Sequence, residues 1–275
     1  MTDVATPAAT TTKWQPVVIG ATGGSGTRAF HGIMGELGLF MGERVNGAGD
    51  AMDFEPFLDR WINPIISSQG RLDYDWSQTS WWMRLRANTG FNRAMKQFQT
   101  ERPGGSPWGW KNPRSMYVLP MIAALVPGIR FIHVVRDGRD MAFSDNQNQR
   151  RKHFAALFGE GPQHTFDPDT PAASAALWAT ANMQVADWGE RHLGPSRYRR
   201  IRLEELCADP TSTVAGLGNW LFPDAAPSGD QTASAAATVK APSTLGRWQG
   251  EPQTSQDAVT GAAQTALQRF GYITG

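Results

Sequence analysis

The chain has 275 residues, a formal net charge of +1 and one cysteine. This fits a single α/β domain with a sizeable core, and it excludes a disulfide scaffold and a broadly basic nucleic-acid surface. Any anion must therefore meet cations placed locally, Cys207 stands outside any metal-ligand spacing, and no apolar run reaches membrane-spanning length. Residues 1–13, rich in Thr, Ala and Pro and without the apolar centre of a secretory leader, are expected to form a flexible tail on a cytoplasmic protein, with one domain over 14–275. In chain order, Pro16-Val-Val-Ile-Gly20 reads as a buried strand, and Phe30, Ile33, Met34 and Leu37 follow at helical spacing. Arg130-Phe-Ile-His-Val-Val135 after Pro127-Gly128, and Tyr198-Arg-Arg-Ile-Arg-Leu203 after Gly194-Pro195, read as two more strands. Trp178, Ala181, Val185 and Trp188 mark a helix between them, and Val259, Ala263, Ala266 and Phe270 mark a last one. Residues Pro223 to Pro252 are expected to form a long covering loop. Strands alternating with helices predict a three-layer α/β/α fold with a mainly parallel sheet.

The first strand and helix are joined by Gly20-Ala-Thr-Gly-Gly-Ser-Gly-Thr-Arg28. At such a junction unpaired N–H groups and the helix dipole favour an anion, and glycines let the backbone close around phosphate oxygens. Gly23, Gly24, Ser25, Gly26, Thr27 and Arg28 are thus candidate phosphate ligands. A Walker A loop requires a lysine before its Ser or Thr, but Gly26 precedes Thr27. Gly20-x-x-Gly23-x-x-Gly26 also matches a loose dinucleotide fingerprint, which makes a nicotinamide-dependent short-chain-type reductase the rival reading. Those enzymes pair a tyrosine with a lysine four residues on, and none of Tyr74, Tyr117, Tyr198 and Tyr272 has one.

The strand Arg130–Val135 ends in Arg136-Asp-Gly-Arg-Asp140, with Ser144 eight residues after the first arginine. A guanidinium offers phosphate a bidentate fork, and a hydroxyl on the following turns can donate from the same side. This segment resembles the sulfotransferase superfamily that uses 3'-phosphoadenosine-5'-phosphosulfate, within it the bacterial and tyrosylprotein branch with a glutamate base. The resemblance runs from Val17 to about Tyr272 and implies a fold like that of P-loop kinases. It assigns Arg136 and Ser144 to the donor's 3'-phosphate and the glycine loop to its 5'-phosphosulfate, with Asp137, Arg139 and Asp140 as supporting ion pairs. Gly24 stands where the family carries a cation, and Arg28 is expected to replace it from the other end of the loop. That departure also leaves open a catalytically inactive nucleotide-binding module.

Trp110-Lys-Asn-Pro113 resembles the family's Lys-x-Pro element and makes Lys111 the group neutralising charge at the bridging oxygen. Arg202-Leu-Glu-Glu-Leu206 resembles an Arg-Tyr-Glu-Asp-Leu segment, with Leu203 in place of the tyrosine. Ser243-Thr-Leu-Gly-Arg-Trp248 resembles a loop that closes over the nucleotide through Arg247 and Trp248. The family works without a metal. A base must take the acceptor's proton; Glu43, in Met41-Gly-Glu-Arg44, is the first choice, with Asp50, Asp53, Glu55 and His31 as alternatives. The acceptor is expected to be a hydroxyl of a small molecule or glycan, with neither nucleic acid nor membrane as partner. Six of the eleven tryptophans fall between Trp61 and Trp110, amid several arginines, either as an acceptor wall or as core.

Overall fold

In the computed structural model, residues 14–159 and 167–274 are described; the expected tail lies outside them. The strand β1 (Val17–Ala21) is buried throughout. Its alternate residues Val17, Ile19 and Ala21 pack into one core and Val18 into another, as the two-residue period of a strand requires. Gly20 allows close approach of the neighbouring strand that carries Phe131, since a Cβ there would lie 2.6 Å from the Phe131 ring. Helix α1 (Arg28–Glu36) buries Phe30, Ile33 and Met34, the periodic residues expected to do so.

A 3-10 turn at Met52–Phe54 leads into α2 (Glu55–Gln69), which stops at Gly70 in the left-handed region at φ +66°. Then come α3 (Trp81–Thr100), the three-residue strand β2 (Gly109–Lys111) and α4 (Leu119–Leu125). Strand β3 (Arg130–Val135) runs into α5 (Gly138–Ala142), capped by Asp137, whose side chain accepts from the Arg139 N–H. Next are α6 (Asn148–Phe158), α7 (Pro171–His192), β4 (Tyr198–Arg202), α8 (Leu203–Ala208), α9 (Pro210–Leu221), α10 (Gly229–Ala237) and α11 (Gln253–Arg269).

The four strands form a parallel sheet in the order β2-β1-β3-β4. One face carries the core built with α2, α3, α4 and α7; the other packs against α1, α8, α9 and α10, giving the three layers expected. From β1 the chain goes to β2 on one side and then crosses to β3 on the other. The carboxyl ends of β1 and β3 therefore open onto a common crevice where the strand order reverses, the usual place for a ligand in such sheets. Within the sheet, His133 is fully buried, with Nδ1 2.7 Å from the Tyr198 hydroxyl and Nε2 2.9 Å from the Asn182 Oδ1. Burial depresses its pKa to about 3.

The segment 223–252 departs from the loop expected there. Ser228 and Gln231 form a reciprocal capping box that starts α10, whose Ala235 and Ala236 bury against α1. Its apolar face is alanine, too weakly hydrophobic to mark a helix in the sequence. A 3-10 turn follows at Arg247–Gly250. No helix among the described residues is long and apolar enough to cross a membrane.

Candidate active site at the carboxyl ends of the strands

The glycine loop leaves β1 with Gly24 at φ +80° and Gly26 at φ +73°. Gly26 admits no side chain, because a Cβ would sit 2.6 Å from the Leu203 Cδ2. Leu203, in the place of the family's tyrosine, is thus the surface on which the loop closes. Ser25 is buried, and its hydroxyl donates to the Thr22 carbonyl at 2.8 Å, so it shapes the loop from within. Thr27 occupies the N-cap position of α1 without using its side chain as a cap, and Arg28 is exposed. Gly23, Gly24, Gly26, Thr27 and Arg28 form one side of a cleft of about 350 Å³. The N-terminal amides of α1 and the Arg28 guanidinium make that side attractive to anions.

The opposite side comes from residues 48–55 and from the turn after β2. Lys111, the last residue of β2, has no solvent exposure; its Nζ donates to the Asp50 Oδ1 and to the Ala48 carbonyl, each at 2.5 Å. Its acceptors line the cleft while Lys111 stands behind them. Burial pulls the ammonium pKa below its usual range, Asp50 opposes that pull, and nearby Arg28 adds to it. His31 projects from α1 beneath Gly49, where a Cβ would come within 2.8 Å of its own. The His31 Nε2 is buried without a partner, and burial, then the Lys111 charge, lowers its pKa below the ordinary value.

Glu55 accepts from the Asn112 amide at 2.8 Å and pairs with Arg114 at 2.6 Å, and both of these partners also face the cleft. Glu43 does not reach this place. The chain turns at Gly42 (φ +99°), packed on Phe98, and leaves Glu43 exposed and outside the cleft lining. Asp53 is turned away too, with its side chain buried against Arg44 at 3.0 Å.

The second segment meets the first directly. Arg136 is 5% exposed, and its Nη1 donates to the Gly24 carbonyl at 3.1 Å. Its Nη2 donates to Asp140 at 2.9 Å and to the Thr244 carbonyl and hydroxyl. Asp140 also accepts from the Gly246 N–H at 2.9 Å and the Trp248 N–H at 3.3 Å. The segment 244–248 is therefore strapped to α5 through one ion pair. Arg139 pairs with Asp137 at 2.7 Å, completing the supporting pairs expected there. Trp248 offers no free face on that side, since the Arg139 guanidinium lies 3.7 Å from its ring centre. Ser144 follows α5 and accepts from the Asn146 N–H at 3.2 Å, while Arg247 reaches the Phe143 carbonyl at 3.4 Å. The folding thus gathers the glycine loop, Arg136 and the strap into one assembly.

Arg114, Asn146, Gln149 and Lys152 also line the cleft without having been marked by any motif. Lys152 and Gln149 sit on α6, which carries no apolar periodicity strong enough to orient it from sequence. Of the tryptophans between 61 and 110, Trp61, Trp76, Trp108 and Trp110 are core, whereas Trp81 and Trp82 are 71% and 46% exposed. Among the described residues, no group of three or more His, Cys, Asp or Glu side chains is placed to hold a metal ion.

A family model described as "Sulfotransferase family" matches residues 16–222. Among solved structures, the sulfotransferase domain from the curacin biosynthetic pathway aligns with a TM-score of 0.51 at 12% identity, covering 96% of this chain and all of that one. A sulfotransferase domain from the Synechococcus PCC 7002 olefin synthase gives 0.49 at 15% identity, over 96% of this chain and all of that one. The sulfotransferase STF1 of Mycobacterium tuberculosis H37Rv gives 0.49 at 14%, over 95% of this chain and 78% of that one. The first of these supports the fold. No curated protein sequence matches the chain.

Proposed function

The chain belongs to the sulfotransferase family, and from that premise we propose that it moves a sulfuryl group from 3'-phosphoadenosine-5'-phosphosulfate to a hydroxyl of a small-molecule or glycan acceptor. The observation that carries this reading is the contact of Arg136 with the Gly24 carbonyl, which ties the segment after β3 to the glycine loop that lines a cleft together with Arg28. The fit to the donor rests on this chain's own features: a glycine loop that admits no Cβ at Gly26, an uncapped Thr27 hydroxyl and an exposed guanidinium beside it.

In this reading Gly23 to Arg28 hold the 5'-phosphosulfate, and Arg136 and Ser144 hold the 3'-phosphate. The Thr244 carbonyl on Arg136 is the acceptor that a phosphate oxygen would replace, and Arg247 closes the loop beside it. The donor supplies a sulfuryl group on a phosphate that leaves with the bond's electrons. Little covalent work then falls to the protein; position and charge dominate. Arg28 and the first amides of α1 stabilise charge developing on the transferred group and the leaving oxygen. Asp50 takes the proton from the acceptor hydroxyl as that oxygen bonds to sulfur. Lys111 positions Asp50 from behind by holding Oδ1, while the Asn46 amide donates to Oδ2 at 3.0 Å, the oxygen that would exchange this contact for the acceptor hydroxyl. Glu43, exposed and outside the cleft, takes no part in this assignment.

Calorimetric titration of 3'-phosphoadenosine-5'-phosphate into the wild type, Arg28→Ala and Arg136→Ala tests the donor site. Micromolar binding weakened in both variants is expected. Absence of binding to the wild type, together with thermal stabilisation by a nicotinamide dinucleotide, would replace the reading with that of a reductase. Binding without turnover on any hydroxyl acceptor would identify an inactive nucleotide-binding module.

A further inference from the structure

A second cavity, of about 900 Å³, lies between α2 and α3, separate from the cleft at the glycine loop. Its rim carries Arg44, Arg60, Arg86 and Arg93, and its one acidic lining residue, Asp53, is already paired with Arg44. Among the described residues, Arg60, Arg86 and Arg93 form no ion pair. The concentration of charge is local: α3 holds Arg84, Arg86, Arg93 and Lys96 and no acidic residue, in a chain of net charge +1. A merely solvated helix face mixes both signs. The floor is apolar, with Phe57 and Trp61 from α2. Gly90 lets α3 settle onto them, since a Cβ there would already touch Trp61 at 3.3 Å and Phe57 at 3.4 Å.

The two cavities share a wall. Asp50 and Glu55 face the cleft, whereas Met52, Asp53 and Pro56 of the same short segment face the groove. Resting on the sulfotransferase reading, we infer that this groove holds the body of the acceptor, and that the acceptor is an amphipathic acid: an apolar ring or chain bearing a carboxylate, sulfate or phosphate, with its hydroxyl presented over the wall to Asp50. Aromatic floor and guanidinium rim match the two halves of such a molecule, and a planar fork suits each of those anions. Arg60 lies over the Trp61 ring at 5.8 Å, and a neutral acceptor would leave the Arg86 and Arg93 guanidinium groups facing it without an anion.

The test compares a hydroxynaphthoate, its methyl ester and naphthol as acceptors with the full chain, and repeats the series with the double variant Arg86→Ala/Arg93→Ala, whose side chains are exposed and leave the core untouched. The acid is expected to show a kcat/KM at least about tenfold above the ester, the worth of one charge-assisted contact. The double variant should erase that preference by raising KM for the acid alone, with binding of 3'-phosphoadenosine-5'-phosphate unchanged. Equal use of acid and ester, or a variant that keeps the preference, overturns the inference. If no acceptor turns over, titration of the hydroxynaphthoate itself decides: binding lost in the variant supports the groove, and no binding to the wild type overturns it. Failure of the nucleotide to bind would instead strike the sulfotransferase reading. A dimer that Leu85→Asp dissociates would give the groove to a second copy and overturn the inference as well.

Discussion

Replacing Asp50 by Asn separates the charge of Lys111 from its one carboxylate partner among the described residues. The ammonium is wholly buried, while the Asp50 side chain keeps 20% exposure. Breaking a buried pair by removing one member costs about 3–5 kcal/mol, because the remaining charge stays out of water. With the Ala48 carbonyl still accepting from Nζ and Asp50 near the surface, the lower end, about 3 kcal/mol, is expected. At about 2 °C or more per kcal/mol for a chain of this size, the melting temperature should fall by at least about 6 °C. Urea denaturation followed by tryptophan fluorescence reads the loss as a lower midpoint at constant slope. The pH dependence gives the mechanism away. Burial sets the Lys111 pKa below 10.5 in the folded chain, and loss of Asp50 lowers it further. Between that lowered value and 10.5 the unfolded chain holds the proton that the folded one has released, so stability rises with pH there. The deficit of the variant should therefore shrink as pH rises through that window, and Lys111→Met added to Asp50→Asn should recover most of it at neutral pH. A loss under about 1 kcal/mol, independent of pH, would refute the view that Asp50 balances a buried charge.

Three other outcomes are expected. His133 and His153, both buried and both held at a pKa of about 3, stay neutral in the folded chain. Because the unfolded chain protonates them near 6.5, stability is lost as pH falls from about 6.5 toward 3, by about 2 kcal/mol each at pH 5; a flat midpoint across that range in denaturation at graded pH would contradict it. Gly26→Ala forces a Cβ at φ +73° onto Leu203 and should cost about 1–3 kcal/mol along with most of the nucleotide affinity, read by melting and calorimetry together. Arg28→Ala should lower kcat by about 10²-fold with little change in melting temperature, since the side chain is exposed; an unchanged rate would remove Arg28 from the charge-stabilising role.

What the sequence determined by itself was whatever depends on neighbours along the chain. The apolar runs of β1 and β3, the helical spacing of Phe30, Ile33 and Met34, and the glycines ahead of α1 are local patterns, so the parallel α/β fold and the glycine loop at the end of β1 could be read directly. The ion pairs around Arg136 were legible for the same reason: Asp140 follows it by one helical turn. The short strand β2 was not, because three residues carry no period, and α10 was not, because its buried face is alanine. Choice among the carboxylates lay further out of reach. Glu43, Asp50, Asp53 and Glu55 occupy one polar stretch with no repeating pattern. Their partners separate them, and the partner of Asp50 is Lys111, which the pairing of β2 with β1 places opposite Ile19, some ninety residues away in the chain. That register brings a buried ammonium against Asp50, while the turn at Gly42 leaves Glu43 exposed, Arg44 takes Asp53 and Arg114 takes Glu55. Only the tertiary structure could decide this, because the requirement to satisfy a buried charge arises only once the strands have met.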